Sequence, residues 1–255
     1  ILAEHYGDTS RWLGGDEWDT VMNYDAFMEP ISYFVTGMEK HSDAYEPGAQ
    51  GDSERFENAM RYYMTKFTGS SLYTAMNQLS NHDHSRFLTR TNHKVGRASA
   101  LGVAAASEDI NIPLYKVAVL MQMTWPGAPT LYYGDEAGME GFEDPFNRRT
   151  YPWGHEDTAL LDWFRTLGRL RAERESLQSG GITYPLAAGR VLCFARRAGD
   201  EVSLCAVNAG AESASVDLPW AAPLAHDALS GQSFLAEGGR LHITLAPYDA
   251  LLLTE

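Results

Sequence analysis

Along the first two thirds of the chain the hydrophobic period switches between two and about four residues. Short runs, "ILAE" at 1 to 4, "DTVMNY" at 19 to 24, "LYTAMNQL" at 72 to 79 and "PTLYYG" at 129 to 134, carry β-branched or aromatic residues and are bounded by turn formers, which predicts strands. Between them, "SERFENAMRYYMTKF" (53 to 67) and "PLYKVAVLMQMTW" (113 to 125) repeat apolar residues at three- and four-residue spacings. These predict helices, with Ser53 as N-cap and Pro113 in a first turn. Strands joined by helical crossovers run parallel, so the alternation predicts an α/β fold.

From 157 to 176, "DTALLDWFRTLGRLRAERES" predicts a longer amphipathic helix with Arg and Glu on its polar face. After "SGG" at 179 to 181 the texture changes to short strands broken by Gly and Asp turns: "VLCFARR", "VSLCAVNA", "ASVDLPW", "LHITLAP" and "ALLLTE". That pattern predicts a small antiparallel β-sandwich over 181–255, set off from an α/β unit over 1–178 by a boundary near Gly180.

Each predicted parallel strand runs straight into polar residues. Glu4 follows the first, Asn23 and Tyr24 close the second, Asn81, His82 and Asp83 follow the third, and Asp135 and Glu136 follow the fourth. Ligand sites in parallel α/β folds lie beyond the carboxyl ends of the strands, so these residues are expected on one rim. Glu4 and Asp83 there are the raw material of acid and electrostatic catalysis on an acetal. On spacing alone, the stronger account of such carboxylates is helix capping or pairing with Arg86 or Arg90.

The pair His82 and His84, with His93 nearby, suggests a metal, but no third convergent ligand is identifiable and an imidazole donating to a hydroxyl needs none. Among the aromatic residues, Trp12, Trp18, Trp125, Tyr132, Tyr133 and Trp153 are assigned to packing and Tyr24 to the rim. Gly127 and Pro129 shape a tight entry to the fourth strand, and Gly134 an abrupt exit. "EDPFNRR" then sets Asp144 beside Arg148 and Arg149, either an ion-paired fork for hydroxyls or a salt bridge that only holds the loop.

Charge narrows the partners. The 34 acidic against 20 basic residues give a net charge of −14, which repels phosphate backbones and excludes nucleic acid. No apolar run approaches the roughly 18 residues that span a bilayer, and "ILAEHYGDTS" lacks the charged start of a signal peptide, so a soluble chain without a membrane partner is expected. Cys193 and Cys205 flank a predicted hairpin and are expected opposite one another. Free thiols in a reducing, cytoplasmic setting are the main reading, a cross-strand bridge the alternative.

Three ordered segments resemble the α-amylase superfamily, glycoside hydrolase family 13, in its neopullulanase, cyclomaltodextrinase and α-glucosidase-like branch. "NQLSNHDHSRF" resembles the family's Asn-His-Asp motif at the end of the seventh barrel strand; "GAPTLYYGDEAGMEG" with "DPFNRRTYPW" resembles the eighth strand and its loop. "ILAEHYGDTSRWLGGDEWDTVMNY" resembles the fifth strand, which carries the acid, running into the sixth. "DALSGQSF" and "LHITLAPYDALLLT" resemble the C-terminal β-sandwich domain. The resemblance implies the C-terminal half of a (β/α)₈ barrel, strands five to eight, followed by that sandwich.

It further implies that Glu4 is the general acid/base and Asp83 the carboxylate that stabilises an oxocarbenium-like transition state. His82 would donate to a hydroxyl of the same sugar, Asn81 would support the loop, and Asp144 and Arg148 would line the neighbouring subsite on the non-reducing side. The implied activity is retaining hydrolysis of α-1,4-linked glucooligosaccharides; the alternative is a non-catalytic, amylase-like carbohydrate-binding or interaction protein. No cofactor is required, and although calcium is a structural ligand in the superfamily, no Asp-rich loop here calls for one.

Two departures stand out. Where the family often has a Trp just after the acid, this chain has His5 and Tyr6; and the family's nucleophilic Asp, on the fourth strand, has no counterpart. The expectation is that these residues alone do not turn over α-glucans. A half-barrel with open edges is expected to bind the missing half or to self-associate.

Overall fold

The computed structural model describes residues 1–255. Strands β1 (Leu2–Ala3), β2 (Thr20–Val21), β3 (Met76–Gln78) and β4 (Ala128–Thr130) are short and lie side by side in chain order. β1 pairs with β2 in parallel, a parallel bridge joins Met22 to Met76, and β3 pairs with β4 in parallel. β1 and β4 are each paired on one side only. The helices are α1 (Glu29–Thr36), α2 (Ser53–Met64), α3 (Gly69–Thr74), α4 (Phe87–Arg90), α5 (Ala98–Leu101), α6 (Ile112–Thr124), α7 (Thr158–Glu173) and α8 (Glu175–Gln178).

Helix boundaries follow capping chemistry. α2 starts one residue earlier than expected, because Asp52 is the cap: its side chain accepts from the Arg55 N–H at 2.9 Å, leaving Ser53 as the first helical residue. Asn111 caps α6 through the Leu114 N–H, with Pro113 in the first turn as expected. α6 is apolar nearly all round and is correspondingly buried, whereas α7 turns Leu160, Phe164, Leu167 and Leu170 inward and Arg165, Arg169 and Glu173 outward, while Arg171 turns in to donate to the Met123 and Gly127 carbonyls.

Three strand expectations need correction. Leu72, Tyr73 and Thr74 belong to α3, whose Thr68 cap accepts from the Ser71 N–H, so only the last part of "LYTAMNQL" is strand. Residues 131 to 134 leave β4 as a turn. Tyr24 does not close β2 but opens a π-helical turn, Tyr24–Met28, capped by Asn23, whose side-chain oxygen accepts from the Ala26 N–H. Gly127 enters β4 with φ +128°, where a Cβ would stand 2.5 Å from the Asn77 amide; no larger residue fits.

Beyond α8 lie β5 (Gly181–Ala188), β6 (Val191–Ala198), β7 (Glu201–Asn208), β8 (Ala214–Pro219), β9 (Leu224–Asp227), β10 (Ser233–Glu237), β11 (Arg240–Leu245) and β12 (Asp249–Thr254). All eight join one antiparallel ladder in the order β5-β6-β7-β12-β9-β10-β11-β8, which curls so that β11 packs over β7 and β12. Val191, Leu204, Leu218, Trp220, Leu241 and Ile243 fill the space it encloses. The opposite face of β6 and β7, with Leu192, Phe194 and Val207, continues the core of α1, α2, α6 and α7. Hydrophobic burial is therefore uninterrupted from the parallel strands' helices into the sheet.

Cys193 stands opposite Ala206 and Cys205 opposite Phe194, one residue out of register. Side chains alternate across a strand, so the two thiols point to opposite faces, one into each core. They are not opposite one another, and this geometry excludes the cross-strand bridge. Burial pushes both thiols up to about 12. No helix is long and apolar enough to cross a membrane.

Candidate active site

Parallel pairing of β1, β2 and β3 brings their carboxyl ends together, and the residues that follow them converge. His82 Nε2 lies 3.3 Å from Glu4 Oε1 and 3.4 Å from Asp83 Oδ1. One oxygen or nitrogen from each of these three side chains falls within 4.8 Å of the others. All three remain about 40% exposed, so the cluster opens to solvent rather than closing into the core.

The groups beneath are buried and fix this geometry. Asn81, 3% exposed, accepts the backbone N–H groups of Asp83 at 3.0 Å and His84 at 3.1 Å through its side-chain oxygen. Its amide donates to the Tyr24 hydroxyl at 3.2 Å, and that hydroxyl donates to Glu4 Oε1 at 3.3 Å. One phenol thus ties Glu4, at the end of β1, to the loop of Asp83. Burial, and then the neighbouring Tyr6, raise the Tyr24 hydroxyl's pKa, keeping it a neutral donor.

The Tyr24 ring is not a sugar platform: it is 2% exposed and stacks on Tyr6, centroids 4.2 Å apart. Tyr6, which sequence reasoning noted only as a departure after the acid, is the residue it missed. Its hydroxyl pairs with His84 Nε2 at 3.2 Å, while Lys40 stands 5.8 Å above its ring. His84, the other half of the His-x-His pair, turns inward against Tyr6, Tyr24 and His41. Burial, reinforced by the Arg90 guanidinium, depresses its pKa to about 2. His93 lies apart, its ring nitrogen on Gln50.

Neither arginine that spacing offered to Asp83 reaches it. Arg86 is buried with Nη1 on Asp135 Oδ1 at 3.0 Å and Nε on the Asn147 carbonyl at 3.0 Å, its guanidinium against the Tyr132 and Tyr133 rings. Arg90 donates to Ser32 Oγ and the Leu79 carbonyl. Burial raises the Asp135 carboxyl to about 6, partly offset by Arg86. Asp135 therefore anchors the loop after β4 from below, and Glu136 folds back onto the Gly134 N–H.

That loop brings in Asp144 and Arg148. Arg148 Nε stands 2.7 Å from Asp144 Oδ1 and donates to the His82 carbonyl at 3.2 Å, and the Asp144 N–H reaches the Asp83 carbonyl at 3.5 Å. Both side chains are about half exposed beside the Glu4 cluster. Trp12 and Trp18 stack on each other against His5, and Trp125 is core, but Trp153 is 79% exposed, its ring tilted at 48° against Tyr151, against expectation.

Residues 1–180 match the family described as "Alpha amylase, catalytic domain", and residues 186–252 match "Maltogenic Amylase, C-terminal domain". An amylopullulanase of Thermoanaerobacter thermohydrosulfuricus is 30% identical over 99% of this chain and 18% of its own length. Neopullulanase 2 of Thermoactinomyces vulgaris is 29% identical over 99% of this chain and 40% of its own length. The native crystal form of a Nostoc punctiforme debranching enzyme superposes with a TM-score of 0.81 at 27% identity, covering 100% of this chain and 51% of that one. The chain spans less than half the length of either sequence relative.

Proposed function

The chain belongs to the α-amylase family, and on that footing we propose that Glu4, His82 and Asp83 serve a retaining α-glycoside hydrolase acting on α-1,4-linked glucooligosaccharides. The observation that carries this reading is the placement of both carboxylates around His82 Nε2, beyond the carboxyl ends of β1 and β3, which flank β2 in one run of parallel strands. Glycoside hydrolysis needs one carboxyl to protonate the leaving oxygen and negative charge against the developing oxocarbenium ion. Glu4 supplies the proton, held toward the cleft by Tyr24. Asp83 accepts hydroxyls of the reactive sugar and stabilises its charge, and His82 donates to a hydroxyl of that sugar. Asn81 holds the Asp83 loop from within. Asp144 and Arg148 form a polar fork at the neighbouring subsite on the non-reducing side.

Residues 1–178 act in this reading as half of the barrel and 181–255 as the C-terminal sandwich, welded by a common core. With Asp83 in the stabiliser's part, no carboxylate of these residues is left for the nucleophile, so by themselves they are inactive. The one-sided pairing of β1 and β4 favours association with a half-barrel or with a second copy. The buried thiols fit a reducing, cytoplasmic setting.

Complementation with an amino-terminal half-barrel from a family relative, with products followed by proton NMR, tests the reading. Maltooligosaccharide hydrolysis that releases the α-anomer first supports it; release of the β-anomer first, or of no product from a folded complex, contradicts it.

A further inference from the structure

We infer that Glu4, His82 and Asp83 also form a zinc-binding site, one that blocks the cleft when filled. Ligand atoms on a tetrahedral zinc ion, with bonds of about 2.0 to 2.2 Å, stand roughly 3.3 to 3.6 Å apart. His82 Nε2 stands 3.3 Å from Glu4 Oε1 and 3.4 Å from Asp83 Oδ1, so two edges of the tetrahedron are already in place. The third edge, between the carboxylates, lies within 4.8 Å, and both side chains are exposed. One imidazole and two carboxylates suit zinc, and the solvent-facing side of the cluster leaves the fourth position to water.

The surroundings of the three groups suit a metal as well. Tyr24 donates to Glu4 Oε1 and Asn81 holds the backbone of Asp83, which orients two of the three ligands before any ion arrives. His84 takes no part, since its Nε2 faces Tyr6; the third ligand that the His-x-His spacing lacks comes from Glu4, seventy-eight residues earlier than His82. Zinc binds imidazole through the Nε2 lone pair, so the ring proton then sits on Nδ1 and His82 no longer donates from Nε2. Both carboxylates are likewise engaged. Zinc and an α-glucan therefore exclude one another, a consequence that rests on the functional reading of this cleft, whereas zinc binding itself does not.

Zinc chloride titrated into the 255-residue chain in a calorimeter tests the site. One equivalent is expected to bind, with affinity falling more than about tenfold in Glu4→Gln and in His82→Gln and unchanged in Asp200→Asn, on the exposed turn between β6 and β7. In the unsubstituted chain, the histidine ring signals of His82 are expected to shift in the ¹H–¹⁵N spectrum ahead of those of His5, His226 and His242, a readout that needs no variant to fold. Absence of binding, or affinity indifferent to both substitutions with His82 signals unmoved, overturns the site. Zinc that binds at His82 while maltotriose binds undiminished keeps the metal site and overturns the reading of the cleft as the glucan site.

Discussion

The Tyr24 hydroxyl stands 3.3 Å from Glu4 Oε1, and it does so because the turn at Tyr24–Met28 rolls the residue off the end of β2 and under the rim. A single buried phenol thereby serves Glu4 as donor and the Asn81 amide as acceptor. Tyr24→Phe removes both bonds and keeps the ring stacked on Tyr6. Hydrogen bonds to charged groups contribute about 1.5 to 3 kcal/mol, so turnover of the complemented enzyme is expected to fall about tenfold or more. Unchanged kcat would show that Tyr24 does not position the acid.

Asn81 holds two backbone N–H groups that otherwise lie without an acceptor beside the buried His84. Asn81→Ala is expected to lower unfolding free energy by about 2 kcal/mol, since each orphaned buried donor costs about 1 to 3 kcal/mol. Urea denaturation measures this. A loss confined to a few tenths would mean that water replaces the side-chain oxygen.

Asp144 and Arg148 are a half-exposed pair, and such pairs contribute only about 0 to 1 kcal/mol. Asp144→Ala is expected to leave the melting temperature within a few degrees while weakening maltooligosaccharide binding by the complemented enzyme. If stability falls and binding does not, the pair only fastens the loop to the His82 carbonyl.

His84 gives acid sensitivity of a definite sign. Its pKa lies near 2 in the fold and near 6.5 in the unfolded chain, so between those values the unfolded state binds the extra proton. The stability it contributes is complete above about pH 6.5 and is lost as pH falls, by up to about 1.4 kcal/mol per pH unit. Asp135, raised to about 6, acts oppositely, its contribution fading as pH rises through about 6. His84→Gln is therefore expected to flatten the acid side of the profile between pH 5 and 6.5; an unaltered slope would place that sensitivity elsewhere.

Much of this was legible in the sequence. Hydrophobic period located all four parallel strands and the long helices, and of the polar residues that follow the strands Glu4, His82 and Asp83 converge, whereas Asn23, Tyr24 and Asp135 are buried beneath. What escaped was local. Whether Leu72 continues a strand or ends a helix depends on the Thr68 cap, and whether Tyr24 stays extended depends on the Asn23 side chain capping the next turn. The one-residue offset of Cys193 and Cys205 is set by strand register, which apolar alternation on both sides of a doubly buried hairpin leaves undetermined. Tyr6 carried a signal, an aromatic two residues past the acid, but its contact with His84 spans the fold.

The most direct measurement is hydrolysis of 4-nitrophenyl α-maltoside by this chain alone, by this chain complemented with an amino-terminal half-barrel, and by the complemented Glu4→Gln variant. Silence alone, turnover on complementation and its loss in the variant are predicted. Turnover by the chain alone that depends on Glu4, or complemented turnover indifferent to Glu4→Gln, would contradict the assignment of Glu4 and Asp83 as acid and stabiliser without a nucleophile.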